Sequence, residues 1–354
     1  MKYLFILGRN PELSIAEIVA VFGNKKFIKN GNAILLEIEK LEEGIIKRFG
    51  GVYAIGEVLC NVNELDKKNI YLKTKNNISY VLWDFSSKTE EVRDYLKKRF
   101  KKERLKATEK RLNFMVLQSG ETAGVSHGLI DEEYFVFDDY FGKIIQKTSF
   151  KEIEKRDMKK PIIRQELAIS PRLAKIMIGL SNVKQGGILL DPFCGIGVIL
   201  QEALIQGINV IGIDKDKEAV KGCRENLKFL NPSKKYKLFN EDSKKVKIKE
   251  RVDVIVTEPY LGEILRKVPT EEKAREILKE FEALVISVLN NLKGNVKGKI
   301  VLTAPIIQIF KKDKRISCNA ERIQKATGLK FLQKPIQEFR EGQIVGREIF
   351  VMGK

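Results

Sequence analysis

Histidine is almost absent: His127 is the single one in 354 residues. A mechanism that needs a histidine base, or a metal site built on histidines, is thereby nearly excluded. His127 lies in Ser126-His127-Gly128, a turn-like setting, and reads as a loop residue. Cysteine is also scarce. Cys60, Cys194, Cys223 and Cys318 are widely spaced, with no Cys-x-x-Cys. That argues against a zinc ribbon or a disulfide framework and fits a reducing cytosol, so no metal and a cytoplasmic location are expected. No apolar run reaches membrane-spanning length, and no membrane partner is expected. The opening Met1 to Gly8 is too short for a signal peptide and lacks its small-residue cleavage pattern; it reads as a first strand.

Positive charge is plentiful. Lysine and arginine number 66 against 47 acids, a formal net charge of +19 with a pI near 9.5. Such a surplus suits a polyanionic partner. A lysine-rich proteome would produce the same drift with no partner at all. The 354 residues suffice for two or three domains, and the 43% hydrophobic content is that of a globular protein.

The first 150 residues alternate short strands and helices. Strands are expected over 3–8, 52–58, 78–85, 112–118, 134–137 and 143–146. Ser14 and Glu17 suggest a capping box for a helix through Phe22, ended by Gly23. A hairpin is expected across Asn30-Gly31, between 26–29 and 32–38. Residues 41–49 look helical. Residues 89–100 form an amphipathic helix running into a basic stretch with Lys97, Lys98, Arg99 and Lys101, while Phe100 and Leu105 can face inward. That stretch is either a solvated face or an RNA-phosphate surface. No catalytic constellation stands out here, so this half reads as a binding module. A polar, proline-punctuated linker is expected over 151–169. Ser170 and Pro171 then start a helix as N-cap and first-turn proline. Arg172 and Lys175 on it touch RNA or face water.

The second half is organised around 188–200. Apolar Ile188 to Leu190 run into Asp191, a Gly195-Ile196-Gly197 turn follows, and Val198 to Ile205 open a helix. Strand, glycine turn and helix N-terminus bring backbone N–H groups and a partial positive charge beside a fixed carboxylate. A ligand carrying both an ammonium and a carboxylate suits that pair. The third glycine of a dinucleotide fingerprint is replaced by Leu200, and the Gly-Lys-Ser/Thr of a P-loop is missing.

A second strand, Val210 to Asp214, ends on an acid 23 residues after Asp191. In a doubly wound sheet Asp214 stands beside the same crevice and can accept two ribose hydroxyls; capping the next helix is its ordinary alternative. Tyr236 to Asn240 is a third strand, followed by Asp242. Asp253 to Thr257 is a fourth, ending in Glu258-Pro259-Tyr260-Leu261. A helix over 270–292 and strands over 299–303, 331–334 and 347–352 complete seven strands.

Asp191-Pro192-Phe193-Cys194-Gly195-Ile196-Gly197 resembles the first motif of S-adenosylmethionine-dependent methyltransferases. Gly8-Arg9-Asn10-Pro11-Glu12-Leu13-Ser14 with Glu17, then Gly50 to Ile55, resemble the N-terminal half of THUMP-containing tRNA guanosine N2-methyltransferases acting on guanosine 10. The Pro-Arg-Leu-Ala-Lys run at 171–175 and Gly346 to Val351 are similar to further segments of that family.

The resemblance implies an α/β chain: a ferredoxin-like or THUMP-type RNA-binding region over 1–150 and a seven-stranded Rossmann-like methyltransferase domain over 170–354. It implies S-adenosylmethionine as cofactor, held by Asp191, Phe193, Cys194, Gly195, Gly197, Asp214 and Asp242, the last reaching the adenine amino group. It implies tRNA as partner, with Lys97, Lys98, Arg99, Lys101 and Arg172 on the RNA side. The expected assembly is a monomer, with room for an accessory subunit.

Enzymes that methylate exocyclic amines carry Asp/Asn-Pro-Pro-Tyr/Phe at the fourth strand. Here Glu258 replaces the acid, Pro259 stays, Tyr260 replaces the second proline and Leu261 the aromatic. The expected roles are that Glu258 orients a guanine amine, Pro259 stiffens the turn and Tyr260 packs on the base. The motif does not name the base. An rRNA or DNA amino-methyltransferase, or a non-catalytic RNA-binding protein with a cofactor pocket, fits the same residues.

Overall fold

The computed structural model describes residues 1–71, 75–110, 112–116, 122–126, 130–164, 169–310, 314–340 and 342–354. His127 lies outside them. The chain divides into two compact units, Met1–Glu154 and Lys155–Lys354.

The first unit is mixed α/β. Its elements are β1 (Lys2–Leu7), α1 (Pro11–Phe22), β2 (Phe27–Asn30), β3 (Ala33–Glu37), β4 (Val52–Asn61), β5 (Asn77–Phe85), α2 (Thr89–Lys102), β6 (Lys106–Glu109), β7 (Leu112–Val116), β8 (Thr122–Ser126), β9 (Glu132–Phe137) and β10 (Tyr140–Lys147). Eight strands form one sheet in the order β2-β3-β1-β4-β10-β9-β5-β6, and β7 pairs with β8 separately. Apolar residues of α1 and α2, such as Ile18, Leu96 and Phe100, are buried in two clusters that include strand residues Phe5, Tyr80 and Tyr134.

Two local expectations fail here. The cap of α1 is Asn10, whose side chain accepts the Leu13 N–H at 3.2 Å, with Pro11 in the first turn. Ser14 and Glu17 are buried instead: Glu17 accepts the N–H groups of Gly50 and Gly51, each at 2.8 Å, and the Ser14 hydroxyl donates to the Gly51 carbonyl at 2.7 Å. A capping box is a local device, whereas these side chains serve a contact more than 30 residues away. The expected helix over 41–49 is only a 3-10 turn, Ile45–Arg48, entered through Gly44 in the left-handed region.

The second unit holds the second half of α3 (Phe150–Lys159), then α4 (Pro171–Ser181), β11 (Ile188–Asp191), α5 (Val198–Ile205), β12 (Asn209–Asp214), α6 (Lys217–Leu230), β13 (Tyr236–Asn240), β14 (Val254–Thr257), α7 (Glu271–Leu292), β15 (Ile300–Gln308), β16 (Arg315–Ser317), α8 (Ala320–Thr327), β17 (Lys330–Phe331), β18 (Ile336–Glu338) and β19 (Val345–Gly353). The division of units falls inside α3, within the segment expected to be a linker. Ser170 caps α4, accepting the Leu173 N–H at 3.2 Å, with Pro171 in the first turn.

The sheet runs β13-β12-β11-β14-β15-β19-β17, with β16 on β15 and β18 on β19. These two short strands raise the expected seven to nine. β11 to β15 are mutually parallel along the sheet, and β19 inserts antiparallel beside β15. This is a doubly wound, Rossmann-like sheet. The chain moves outward from β11 to β13, then returns to β14 on the other side of β11. Crevices for ligands open at such a reversal, beyond the carboxyl ends of the strands.

Helix α7 covers one face with Ile277, Leu278, Phe281, Val285, Val288 and Leu289, spaced for a single stripe, against Leu190, Ile255 and Leu302. Among the described residues no helix is long and apolar enough to cross a membrane.

Candidate active site

Asp191 ends β11 and is almost fully buried. Its Oδ1 accepts the Thr257 hydroxyl at 2.6 Å and the Phe193 N–H at 3.1 Å. Burial pushes its carboxyl up to about 7; the bonds from Thr257 and Phe193 oppose that shift, and the charges of Asp214 and Glu258 add to it. A carboxylate in so poor a solvent is poised to gain from a cationic ligand.

The turn after β11 is shaped by two glycines. Gly195 (φ +50°) and Gly197 (φ +88°) are both left-handed, and Gly197 is the N-cap of α5. A Cβ on Gly197 would stand 2.6 Å from Cys223 Sγ, whereas one on Gly195 would meet no protein atom within 4 Å. Gly195 faces a cleft that is also lined by Arg164, Asp191, Phe193, Cys194 and Glu258. Contact with Cys223, then burial, keeps Cys194 a thiol, its pKa well above the ordinary value.

Asp214 ends β12, one strand over. Its Oδ2 accepts the Gly195 N–H and its Oδ1 the Asp216 N–H, both at 2.9 Å. It therefore braces the glycine turn. The cap of α6 is Asp216, which accepts from Glu218 and Ala219. Asp242 follows β13, and its Oδ1 accepts the Lys244 N–H at 2.9 Å, so it closes the local turn.

Glu258 follows β14. Its Oε1 accepts from Arg347 Nε at 2.6 Å and Thr303 Oγ1 at 3.3 Å, and its Oε2 accepts from Arg347 Nη2 at 3.3 Å. Pro259 is buried and Tyr260 is 60% exposed. Leu261, aligned with the family's aromatic, packs against the core instead.

The structure thus gathers Asp191, Phe193, Cys194, Gly195, Gly197 and Glu258 around one cleft. A family model described as RMKL-like, methyltransferase domain, matches residues 162–291. A tRNA (guanine(10)-N2)-dimethyltransferase of Methanothermobacter thermautotrophicus is 36% identical over 162 residues, 46% of this chain and 45% of that protein. The enzyme of the same name from Methanocaldococcus jannaschii is 41% identical over 117 residues, 31% of this chain and 33% of its own length. Over these stretches the chain is similar to tRNA guanine-N2-methyltransferases.

The matched stretch is less than half the length of either relative. A further model, described as DNA methylase, matches 19–225, a span that stops before the Glu258 strand. TrmN from Thermus thermophilus aligns over 100% of both chains at a TM-score of 0.48 and 13% identity.

The residues expected on the RNA side separate. Lys97, Lys98 and Lys101 of α2 are exposed. Arg99 is not an open cation: its guanidinium donates to the Leu65 and Lys68 carbonyls at 2.6 Å, to Tyr95 and to Glu103. Arg172 and Lys175 are each only 5% exposed, so neither faces water. Inside the methyltransferase unit, Thr257, Thr303, Arg164 and Arg347 escaped the motif reading. Arg347 had a signal, in Gly346 to Val351, but nothing in spacing pairs it with an acid 89 residues earlier.

Proposed function

We propose that the protein transfers a methyl group from S-adenosylmethionine to the exocyclic N2 amine of a guanosine in tRNA, position 10 being the site named for its relatives. The observation that carries this reading is the convergence of Asp191, the Gly195–Gly197 turn and Glu258 at the reversal of the sheet. The residues present suit that cofactor: a buried carboxylate complements an ammonium, and a Cβ on Gly195 would meet only open space. The bound donor supplies a methyl group on a sulfonium and leaves as a thioether.

The chain's own residues handle the acceptor. A guanine amine is a weak nucleophile because its lone pair spreads into the ring. Accepting its N–H bonds at the Glu258 carboxylate and a neighbouring backbone carbonyl orients the lone pair and stabilises the charge that grows on nitrogen. The nitrogen forms the new N–C bond with the methyl carbon, and the proton it sheds passes to water. Tyr260, exposed beside Glu258 in sequence, offers a face for the base, which must leave its stack to reach the cleft. Lys97, Lys98 and Lys101 serve as phosphate contacts in the first unit, which acts as the RNA-binding part.

The test is methyl transfer from labelled donor to tRNA, rRNA and DNA side by side, followed by nucleoside mass spectrometry. N2-methylguanosine or its dimethyl form in tRNA is expected. Donor binding without transfer to any of the three would overturn the reading.

A further inference from the structure

This inference rests on the reading above and concerns how Glu258 is aimed. The family pattern places a shorter acid here. Glutamate adds one methylene and one rotatable bond, and a freely rotating carboxylate is a poor orienting group. In the structure it does not rotate freely. Three side-chain donor atoms hold it, from two strands beyond its own: Arg347 Nε at 2.6 Å and Nη2 at 3.3 Å from β19, and Thr303 Oγ1 at 3.3 Å from β15. The extra methylene carries the carboxylate to that fork. Strand β19 presents Arg347 by its antiparallel register, Pro305 facing Arg347 and Thr303 facing Ile349. Both partners of the ion pair are largely buried, with side-chain exposures of 23% for Arg347 and 11% for Glu258.

We infer that Arg347 is a positioning residue for the acceptor amine, acting through Glu258. A guanidinium fork fixes both the place and the plane of a carboxylate, which a single ammonium cannot do. A carboxylate offers about four lone-pair positions. Three are taken by Arg347 and Thr303, so about one remains for a substrate N–H. Arg347 and Thr303 therefore decide which direction stays open, and Glu258 lines the cleft with Asp191 and Gly195. The first methylation consumes an N–H of the amine, and a single open acceptor position suits an amine that retains only one.

The test uses the 354-residue chain and four variants: Arg347→Met, Arg347→Lys, Thr303→Val and Glu258→Gln, with the double variant Arg347→Met/Glu258→Gln. Transfer to tRNA by the unmutated chain is measured first; its failure there overturns the functional reading and this inference together, before any variant is made. With transfer established, Arg347→Met is expected to lower kcat at least tenfold, with KM for tRNA and donor affinity within threefold. Arg347→Lys recovers part of the loss, and Thr303→Val costs less than Arg347→Met. In the Glu258→Gln background, Arg347→Met costs less than threefold more. A merely structural arginine would lower kcat by the same factor in both backgrounds, and that result overturns the inference, as does an Arg347→Met chain with unchanged kcat. Should Arg347→Met fail to fold, Arg347→Lys and Thr303→Val carry the test, with unchanged kcat in both as the overturning result.

Discussion

Thr257 donates its hydroxyl to Asp191 at 2.6 Å, tying the ends of two neighbouring parallel strands. Both residues are buried, so this bond has no water to replace it. Thr257→Val keeps the shape and removes the donor. The cost is expected to be about 1–3 kcal/mol, as for a buried acceptor left short of a partner. Urea unfolding at pH 8 measures it. An unchanged midpoint would show that Asp191 finds another donor.

Asp191 also gives stability a pH dependence of definite sign. Its folded-state pKa is about 7, raised chiefly by burial from an ordinary 3.8. Protonation is therefore easier in the folded chain than in the unfolded one. The contribution is complete below about pH 3.8 and is lost as pH rises through about 7. Linkage places the loss on the order of 4 kcal/mol. Asp191→Asn removes the titration, so its stability curve between pH 5 and 8 should be flatter than that of the unmutated chain. Parallel curves would contradict this.

In the first unit, Glu17 carries a load of the same kind. It receives the N–H groups of Gly50 and Gly51 at 2.8 Å, far from solvent, and so joins α1 to the start of β4. Glu17→Ala strips two buried donors of a charged acceptor, and each such bond contributes ~1.5–3 kcal/mol. A loss of about 3 kcal/mol or more is expected in chemical unfolding. A loss under ~1 kcal/mol would show that the glycine amides pair elsewhere.

How much of this was legible in the residues depends on distance along the chain. The unit from Ile188 to Ile205, the strand ending at Asp214 and the cap at Ser170 are local patterns, and the structure keeps each one. Ser14 and Glu17 also look local, yet their partners lie at Gly50 and Gly51, and only tertiary packing decides between a cap and a buried brace. In sequence Asp214 suits a ligand or a cap; the structure adds the Gly195 amide, a contact made across a parallel strand pair. The Arg347–Glu258 pair is the extreme case. It depends on β19 inserting between β15 and β17, which no spacing rule in the sequence announces.

The two left-handed glycines make opposite predictions for alanine. Both have positive φ, which costs an alanine roughly 1–2 kcal/mol. At Gly197 the new Cβ would also stand 2.6 Å from Cys223 Sγ, so Gly197→Ala should lower the melting temperature markedly. At Gly195 the new Cβ meets no protein atom, and the residue lines the cleft. Gly195→Ala should therefore melt only slightly lower, while its affinity for S-adenosylmethionine falls at least tenfold. Calorimetric titration on both variants, beside thermal melts, separates the cases. Undiminished affinity in a folded Gly195→Ala chain would remove the glycine turn from the cofactor site.

On α2, exposed Lys97, Lys98 and Lys101 contrast with Arg99, whose donors are spent on Leu65, Lys68, Tyr95 and Glu103. Exposed lysines that neutralise phosphates release counterions, so each one lost should weaken RNA binding and flatten its salt dependence. The triple change of Lys97, Lys98 and Lys101 to alanine is expected to lower tRNA affinity at least tenfold at low salt. Its log–log salt slope should fall by about 2–3, with stability nearly unchanged. Arg99→Ala should do the reverse: a loss of about 1–3 kcal/mol in stability from the stranded carbonyls, with a salt slope that barely moves. Filter binding across a salt series, paired with unfolding curves, reads both. If the triple variant binds tRNA with the original slope, the phosphates are held elsewhere on the chain.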